Sequence, residues 1–423
     1  MSLTPVLEPV GEAHPTMNCR HCQTPLRRVF LDLGYAPPSN AYLAEDDLRR
    51  PEVTYPLKLF VCHHCWLVQT QDFVAADALF TPDYAYFSSV STSWLKHAAD
   101  YCAMITRRLE LSADSLVIEI AANDGYLLRN FVEAGIPCLG IEPAAATAAA
   151  AEAQGIPILR QFFGNALAQQ LAARGQRADL IIGNNVYAHV PDINDFTAAL
   201  KAALKPGGTV TLEFPHLLRL IEQNQFDTVY HEHFSYLSLH AVQRIFQSHD
   251  LRPWDVEQLP THGGSLRLYA IHADDPRPTT TAVAELLATE QAQGLLDLAT
   301  YQAFQPRADR VKNDLLAHLI EQQRAGRRIA AYGAAAKGNT LLNYAGIKPD
   351  LLPFVCDAAP AKQGKYLPGS HIPIRASEAL RDEPPDEVLI LPWNIAEEVK
   401  AQLADLVERG TRFVTAVPSL NIG

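Results

Sequence analysis

The stretch SLVIEIAANDG, residues 115–125, reads as a short buried strand at 115–120 running into a loop of small and acidic residues, with a helical pattern at 126–133. Such a loop lets a ligand approach bare backbone at a helix N-terminus. It is not GxGxxG, because Gly125 is its only glycine. That argues against a dinucleotide pyrophosphate and leaves room for a smaller nucleoside. Glu142 ends the next strand, 23 residues after Glu119. An acidic residue there can bridge two ribose hydroxyls.

Outward from this stretch the same alternation continues. Further strands read at 138–142, 157–162, 178–184 and 209–214, with helical patterns between them, including the Ala-rich 144–151. That spacing predicts a parallel, doubly wound sheet. The loop GNNVYAHV (183–190) follows the fourth strand and carries Asn184 and His189; the turn KPGG (205–208) precedes the fifth. Two more β runs follow, around PWDVEQL and SLRLYAI. A polar helical stretch from 279 to about 324 then leads into a second alternation, with strands at 328–333, 351–357, 387–392 and 412–417. The chain is therefore expected to be α/β, with a small domain at 1–80, a doubly wound sheet at 81–273 and a second, Rossmann-like sheet at 274–423.

Composition narrows the function. Apolar residues make up 48% of 423, enough for packed cores. With 35 basic and 47 acidic residues the net charge is −12, a poor match to a nucleic-acid partner. No apolar run approaches the length of a membrane span, and the opening MSLTPVLEPVGEAHP lacks the basic and apolar regions of a signal peptide. A cytoplasmic protein without a membrane partner is expected.

Four of the seven cysteines form two CxxC pairs, Cys19/Cys22 and Cys62/Cys65. Two such turns close a tetrahedral zinc site with no open position, so the metal should be structural. His21, His63 and His64 lie close enough in sequence to replace one ligand. Cys102, Cys138 and Cys356 read as small buried hydrophobes.

Two further segments are rich in chemistry. YHEHFSY (230–236) follows the fifth strand and, with His189 and His216, gathers four imidazoles near the carboxyl edge of the sheet. Acid–base work fits that position; a solvated helix start or a metal site are the alternatives. YGAAAKGNT (332–340) follows a strand and opens a helix. It reads either as a phosphate loop, with Gly333, Lys337 and Asn339, or as a close-packed turn.

As an ordered set, the Glu119 loop, Glu142, Asn184 and the PGG turn resemble the class I S-adenosylmethionine (SAM) methyltransferases. Ala121, Asn123, Asp124 and Gly125 would then face the cofactor. The whole chain, from Cys19 to Pro418, resembles the three-domain sugar C-methyltransferases that act at C-3 of nucleotide-linked 4-keto-deoxysugars. EIAANDG, NNVYAHV, EFPH, YHEHFSY and GAAAKGNTLLN, in that order, carry the likeness. The resemblance implies a structural zinc, SAM in the middle domain and a dTDP- or GDP-linked sugar between the middle and C-terminal domains. It implies a base at His233, with Tyr230, Glu232 and His189 around it and Tyr84 near the sugar. A proton on the carbon beside a ketone is acidic because its conjugate base is an enolate, and imidazole titrates in the right range to remove it. The rivals are methylation of a hydroxyl or amine elsewhere, a nucleotide-sugar oxidoreductase or epimerase, and a zinc scaffold without activity.

Overall fold

Seven strands build the central sheet: β1 (Val117–Ile120), β2 (Cys138–Ile141), β3 (Ile158–Leu159), β4 (Ala178–Asn184), β5 (Leu204–Pro215), β6 (Leu251–Leu259) and β7 (Ser265–His272). Their order is β6-β7-β5-β4-β1-β2-β3 in the computed structural model, which describes residues 17–73 and 87–423. β1 to β5 run parallel, and β7 is antiparallel to both β5 and β6. Every residue of β1 is buried, as a strand covered on both faces requires. The chain winds outward through β2 and β3, then returns to the other side of β1 for β4. The crevice beyond the carboxyl ends of β1 and β4 is where such sheets bind ligands.

Two local readings differ. β3 spans two residues instead of six, because it is a half-exposed edge strand. The KPGG segment is not a turn before β5 but a bulge within it. There Ala178 faces Leu204 and Leu180 faces Thr209, and a Cβ at Gly208 would sit 3.0 Å from the Ala178 carbonyl.

The second sheet comprises β8 (Ile329–Tyr332), β9 (Val355–Cys356), β10 (Ile374–Arg375), β11 (Glu387–Ile390), β12 (Arg412–Thr415) and β13 (Asn421–Ile422), in the order β10-β9-β8-β11-β12-β13. Its switch point lies between β8 and β11. The helical stretch before it is three helices, Thr281–Ala292, Leu298–Gln302 and Phe304–Arg324, broken at Gly294, whose φ is +81°, and restarted by the Asp297 cap.

The N-terminal strands Arg28–Ala36, Tyr55–Val61 and Val68–Thr70 form an antiparallel sheet whose fourth strand is Ser235–Tyr236, from the YHEHFSY segment. A single apolar core runs from Phe30 and Leu57 through Leu217 and Phe226 to Phe304, Leu341 and Leu389. The N-terminal sheet, the connection after β5 and the second sheet thus share one interior. No helix among the described residues is long and apolar enough to cross a membrane.

The two CxxC turns are built alike. Gln23 and Trp66, at φ +60° and +65°, donate their N–H groups to the carbonyls of Cys19 and Cys62 at 2.9 Å each. The four sulfurs lie within 4.8 Å of one another, with Cys19–Cys65 and Cys22–Cys62 at 3.5 Å. Tetrahedral zinc with about 2.3 Å bonds needs sulfurs about 3.8 Å apart, so this donor set fits zinc. His21 instead bonds Asn194 at 2.9 Å, and His63 and His64 are exposed outside the cluster. Arg20 donates to the Pro191 carbonyl at 2.7 Å, fastening the knuckle beside His189. We expect one zinc per chain by elemental analysis. Cys65→Ala, or removal of the metal by a chelator, should lower Tm and abolish turnover together.

Candidate active site

The loop after β1 is held in a conformation that glycine usually supplies. Ala121 and Asn123 have φ of +56° and +50°, and Gly125 has +78°. A Cβ at Gly125 would sit 2.3 Å from the Ile156 side chain. Non-glycine residues in this region store strain of about 1–3 kcal/mol, which persists at ligand-binding loops. The Ser88 and Ser89 N–H groups close over the loop, bonding Asn123 Oδ1 at 2.9 Å and Asp124 Oδ2 at 3.0 Å.

Three carboxylates meet here. Glu119 is buried, with Oε2 unbonded, and Asp124 keeps a buried, unbonded Oδ1. Glu142 accepts the Asn123 and Ala144 N–H groups at 2.9 and 2.8 Å, one on each oxygen, with the Thr147 hydroxyl as a third partner, which leaves one lone-pair position for a ligand hydroxyl. Burial, with Glu142 and Asp124 beside it, drives the Glu119 carboxyl well above the usual range; burial also raises Glu142. A ligand carrying an ammonium and a ribose satisfies these atoms. Tyr126, buried beneath Trp94, hydrogen-bonds Asn184. The expected residues Glu119, Ala121, Asn123, Asp124, Gly125, Glu142 and Asn184 thus gather at the ends of β1, β2 and β4.

The YHEHFSY segment is not a helix. Tyr230–Phe234 is a turn leading into the strand Ser235–Tyr236. It is gripped from the N-terminal side: Thr70 N–H bonds the Phe234 carbonyl at 3.1 Å, and Asn40 Nδ2 bonds Glu232 Oε1 at 3.1 Å. The two histidines diverge. His231 Nε2 bonds the Pro56 carbonyl at 3.3 Å and its ring packs on Tyr55. His233 packs against Tyr230 and His189, with ring centroids 4.1 and 4.6 Å away. Its Nδ1 lies 3.1 Å from the Thr228 carbonyl, which can only accept. The proton is therefore on Nδ1, and neutral Nε2 carries the lone pair. Burial first, then the nearby His189, hold His233 well below the usual histidine range. His189 gives its own Nδ1 proton to the Glu232 carbonyl at 2.8 Å, and burial lowers it to about 4. Glu232 thus orients an imidazole through its backbone, not its carboxylate.

His216 does not join the group. It is buried and bonded to Glu290 at 2.7 Å, a carboxylate that also holds the Leu239 and His240 N–H groups. Tyr84 lies outside the described residues.

The loops after β8 and β11 face the same crevice. Gly333, at φ +93°, packs on Pro392, where a Cβ would meet the ring at 2.4 Å. The helix Ala336–Ala345 opens with no side-chain cap, so its first-turn N–H groups are available to an anion. Lys337 bonds Asn394 at 2.6 Å and lies 4.8 Å over the Trp393 ring. Burial lowers it, and Asp227 opposes that. Asn339 sits apart, buried, with its amide donating to the Ser39 carbonyl at 3.2 Å. Trp393, Asn394, Asp227 and His262 are members of this group that sequence reasoning missed. Trp393 and Asn394 follow a strand at the switch point, a signal that was available.

Residues 19–80 match a family described as a zinc binding domain, 94–256 one described as a methyltransferase domain, and 260–418 one described as a C-methyltransferase C-terminal domain. The C-methyltransferase NovU of Streptomyces niveus is 34% identical over 404 residues, which cover 96% of this chain and 96% of NovU. Among solved structures, a SAM-dependent methyltransferase from Clostridium acetobutylicum aligns over 42% of this chain and 91% of its own, at 11% identity and a TM-score of 0.33. Magnesium protoporphyrin IX methyltransferase from Synechocystis, with bound SAM, aligns over 42% of this chain and 79% of its own, at 15% identity and a TM-score of 0.32.

A cationic ligand favours ionised carboxylates, whereas burial in the free protein disfavours the ionised forms of Glu119 and Glu142. SAM binding should therefore release protons. Its affinity, measured by calorimetry, should keep rising with pH above the ordinary carboxylate range; a flat profile there would contradict the carboxylate arrangement. Glu142→Ala should weaken SAM by about 1.5–3 kcal/mol, the scale of a charge-assisted hydrogen bond.

Proposed function

The chain belongs to the SAM-dependent C-methyltransferases that join a zinc-binding domain, a methyltransferase domain and a C-terminal domain, and from that premise we propose that it methylates C-3 of a nucleotide-linked 4-keto-deoxysugar. The observation that supports this best is the state of His233: a neutral ring with its proton fixed on Nδ1 and its Nε2 lone pair among aromatic side chains. That is a general base in waiting. The carboxyl ends of two sheets meet around it, one suited to a nucleoside with a cationic tail, the other to an anion at a helix N-terminus.

In this reading His233 Nε2 takes the proton from the carbon beside the ketone. His189 and Tyr230 orient the sugar against the base, and Glu232 holds His189 through its carbonyl. The loop from Gly333 receives the pyrophosphate of a dTDP- or GDP-linked sugar, with Lys337 at its inner edge. Tyr84 is assigned to the sugar from the family pattern. Glu119, Asn123, Asp124 and Glu142 hold the cofactor. Bound SAM supplies an electrophilic methyl and a positive charge that favours the nearby enolate.

His233→Asn should cut turnover by about 10²–10⁴-fold while SAM still binds. Because its environment lowers His233, the basic form persists to lower pH than for an ordinary histidine. The acidic limb of kcat/KM should accordingly fall below the usual histidine range. The decisive experiment is deuterium wash-in from D₂O into a dTDP-4-keto-6-deoxysugar, followed by NMR. Wild type should label C-3 and His233→Asn should not. Label at C-5, the other carbon beside the ketone, would move the position of methylation; label at neither, with no dTDP or GDP binding at millimolar concentration, would overturn the sugar reading. Lys337→Ala should weaken nucleotide binding and its dependence on salt.

A further inference from the structure

We propose that His262 is a second catalytic imidazole, whose Nδ1–H donates to the ketone oxygen as that oxygen becomes an enolate. The assignment rests on the 4-keto acceptor of the preceding section and deepens it.

His262 lies in the short turn Thr261–Gly263 between β6 and β7. Its backbone is left-handed, with φ +54° and ψ +22°, and Gly263 and Gly264 beside it have φ of +89° and +118°. A non-glycine residue stays there only where its surroundings hold it. They do so here. A Cβ at Gly263 would lie 2.5 Å from the Trp393 ring, and one at Gly264 would lie 2.6 Å from Arg219. Gln225 Nε2 donates to the Gly263 carbonyl at 2.7 Å. The turn is thus clamped by the loop after β11 on one side and by the segment leading to His233 on the other.

The ring itself is fixed. It packs 5.1 Å from Trp94, and Asn185 Nδ2 donates to its Nε2 at 3.2 Å. A nitrogen that accepts from an amide carries no proton, so the proton is on Nδ1, which has no protein partner among the described residues. Lys337 lies over the Trp393 ring on which Gly263, beside His262, also packs, and it disfavours a proton on both His233 and His262, so the three groups share one space. Burial, Lys337 and His97 hold His262 down to about 4, leaving it a neutral donor throughout the working range.

The two imidazoles are therefore set in complementary roles by what stands behind each. A carbonyl behind His233 leaves an outward lone pair; an amide N–H behind His262 leaves an outward N–H. When the carbon–hydrogen bond breaks, the proton goes to His233 Nε2. The electron pair becomes the carbon–carbon double bond of the enolate, and the negative charge settles on the oxygen. His262 keeps its proton and stabilises that charge. Such a donor, preorganised where charge develops, contributes about 10²–10³ in rate.

The test uses His262→Ala and His262→Asn, since asparagine tolerates left-handed backbone. Deuterium wash-in to a dTDP-4-keto-6-deoxysugar is followed without SAM, alongside dTDP affinity and Tm. At least one variant that keeps wild-type Tm and dTDP affinity should show wash-in reduced about 10²–10³-fold, with the acidic limb of its pH profile unmoved. Wild-type wash-in with impaired methylation, a shifted acidic limb, or loss of dTDP binding or of the fold in both variants would each overturn the assignment. If wild type shows neither wash-in nor dTDP binding, the failure lies in the acceptor reading, and the role of His262 falls with it.

Discussion

Everything at the crevice depends on one short pairing: Val68–Thr70 against Ser235–Tyr236. Two residues of strand are marginal alone. They are held because Val68 begins three residues after Cys65, in a sheet anchored by the cysteine cluster. The metal site thus does more than stabilise a small N-terminal sheet. It supplies the partner strand that fixes the turn carrying Tyr230, Glu232 and His233. Zinc suits this task because its four thiolate bonds hold two chain segments at a fixed spacing without an open coordination position.

From the other side the same turn is tied to the second sheet. Thr340 Oγ1 donates to the Val229 carbonyl at 2.8 Å, Trp393 Nε1 to Asp227 at 2.7 Å, and Asn224 Nδ2 to the Pro418 carbonyl at 2.9 Å. Asp227 is fully buried and raised to about 6 by that burial, with Lys337 opposing. The segment 224–236 is therefore a keystone between the N-terminal sheet and the second sheet. His233 gains its orientation from backbone on both sides instead of from a carboxylate partner, so its neutral tautomer follows from geometry.

Much of this was legible in the sequence wherever the signal was local. The EIAANDG loop, Glu142 at the next strand end and the paired CxxC turns each place chemistry by spacing, and the structure gathers them as read. What failed was non-local. The strand Ser235–Tyr236 within YHEHFSY has no local signal because its strand partner lies more than 160 residues away, beyond any local period. KPGG carries turn residues, yet they form a bulge inside β5. His262 went unnoticed because left-handed backbone at histidine has no composition signature; the Gly-Gly after it was the hint.

This framework fixes His233 as a neutral imidazole with its proton on Nδ1. Nitrogen-15 NMR of histidine-labelled protein, with His233 assigned by His233→Asn, measures it directly. At pH 7 the His233 signals should report a protonated Nδ1 and a bare Nε2, and that state should be lost when zinc is removed. An imidazolium, a proton on Nε2, or a tautomer indifferent to zinc would contradict the account.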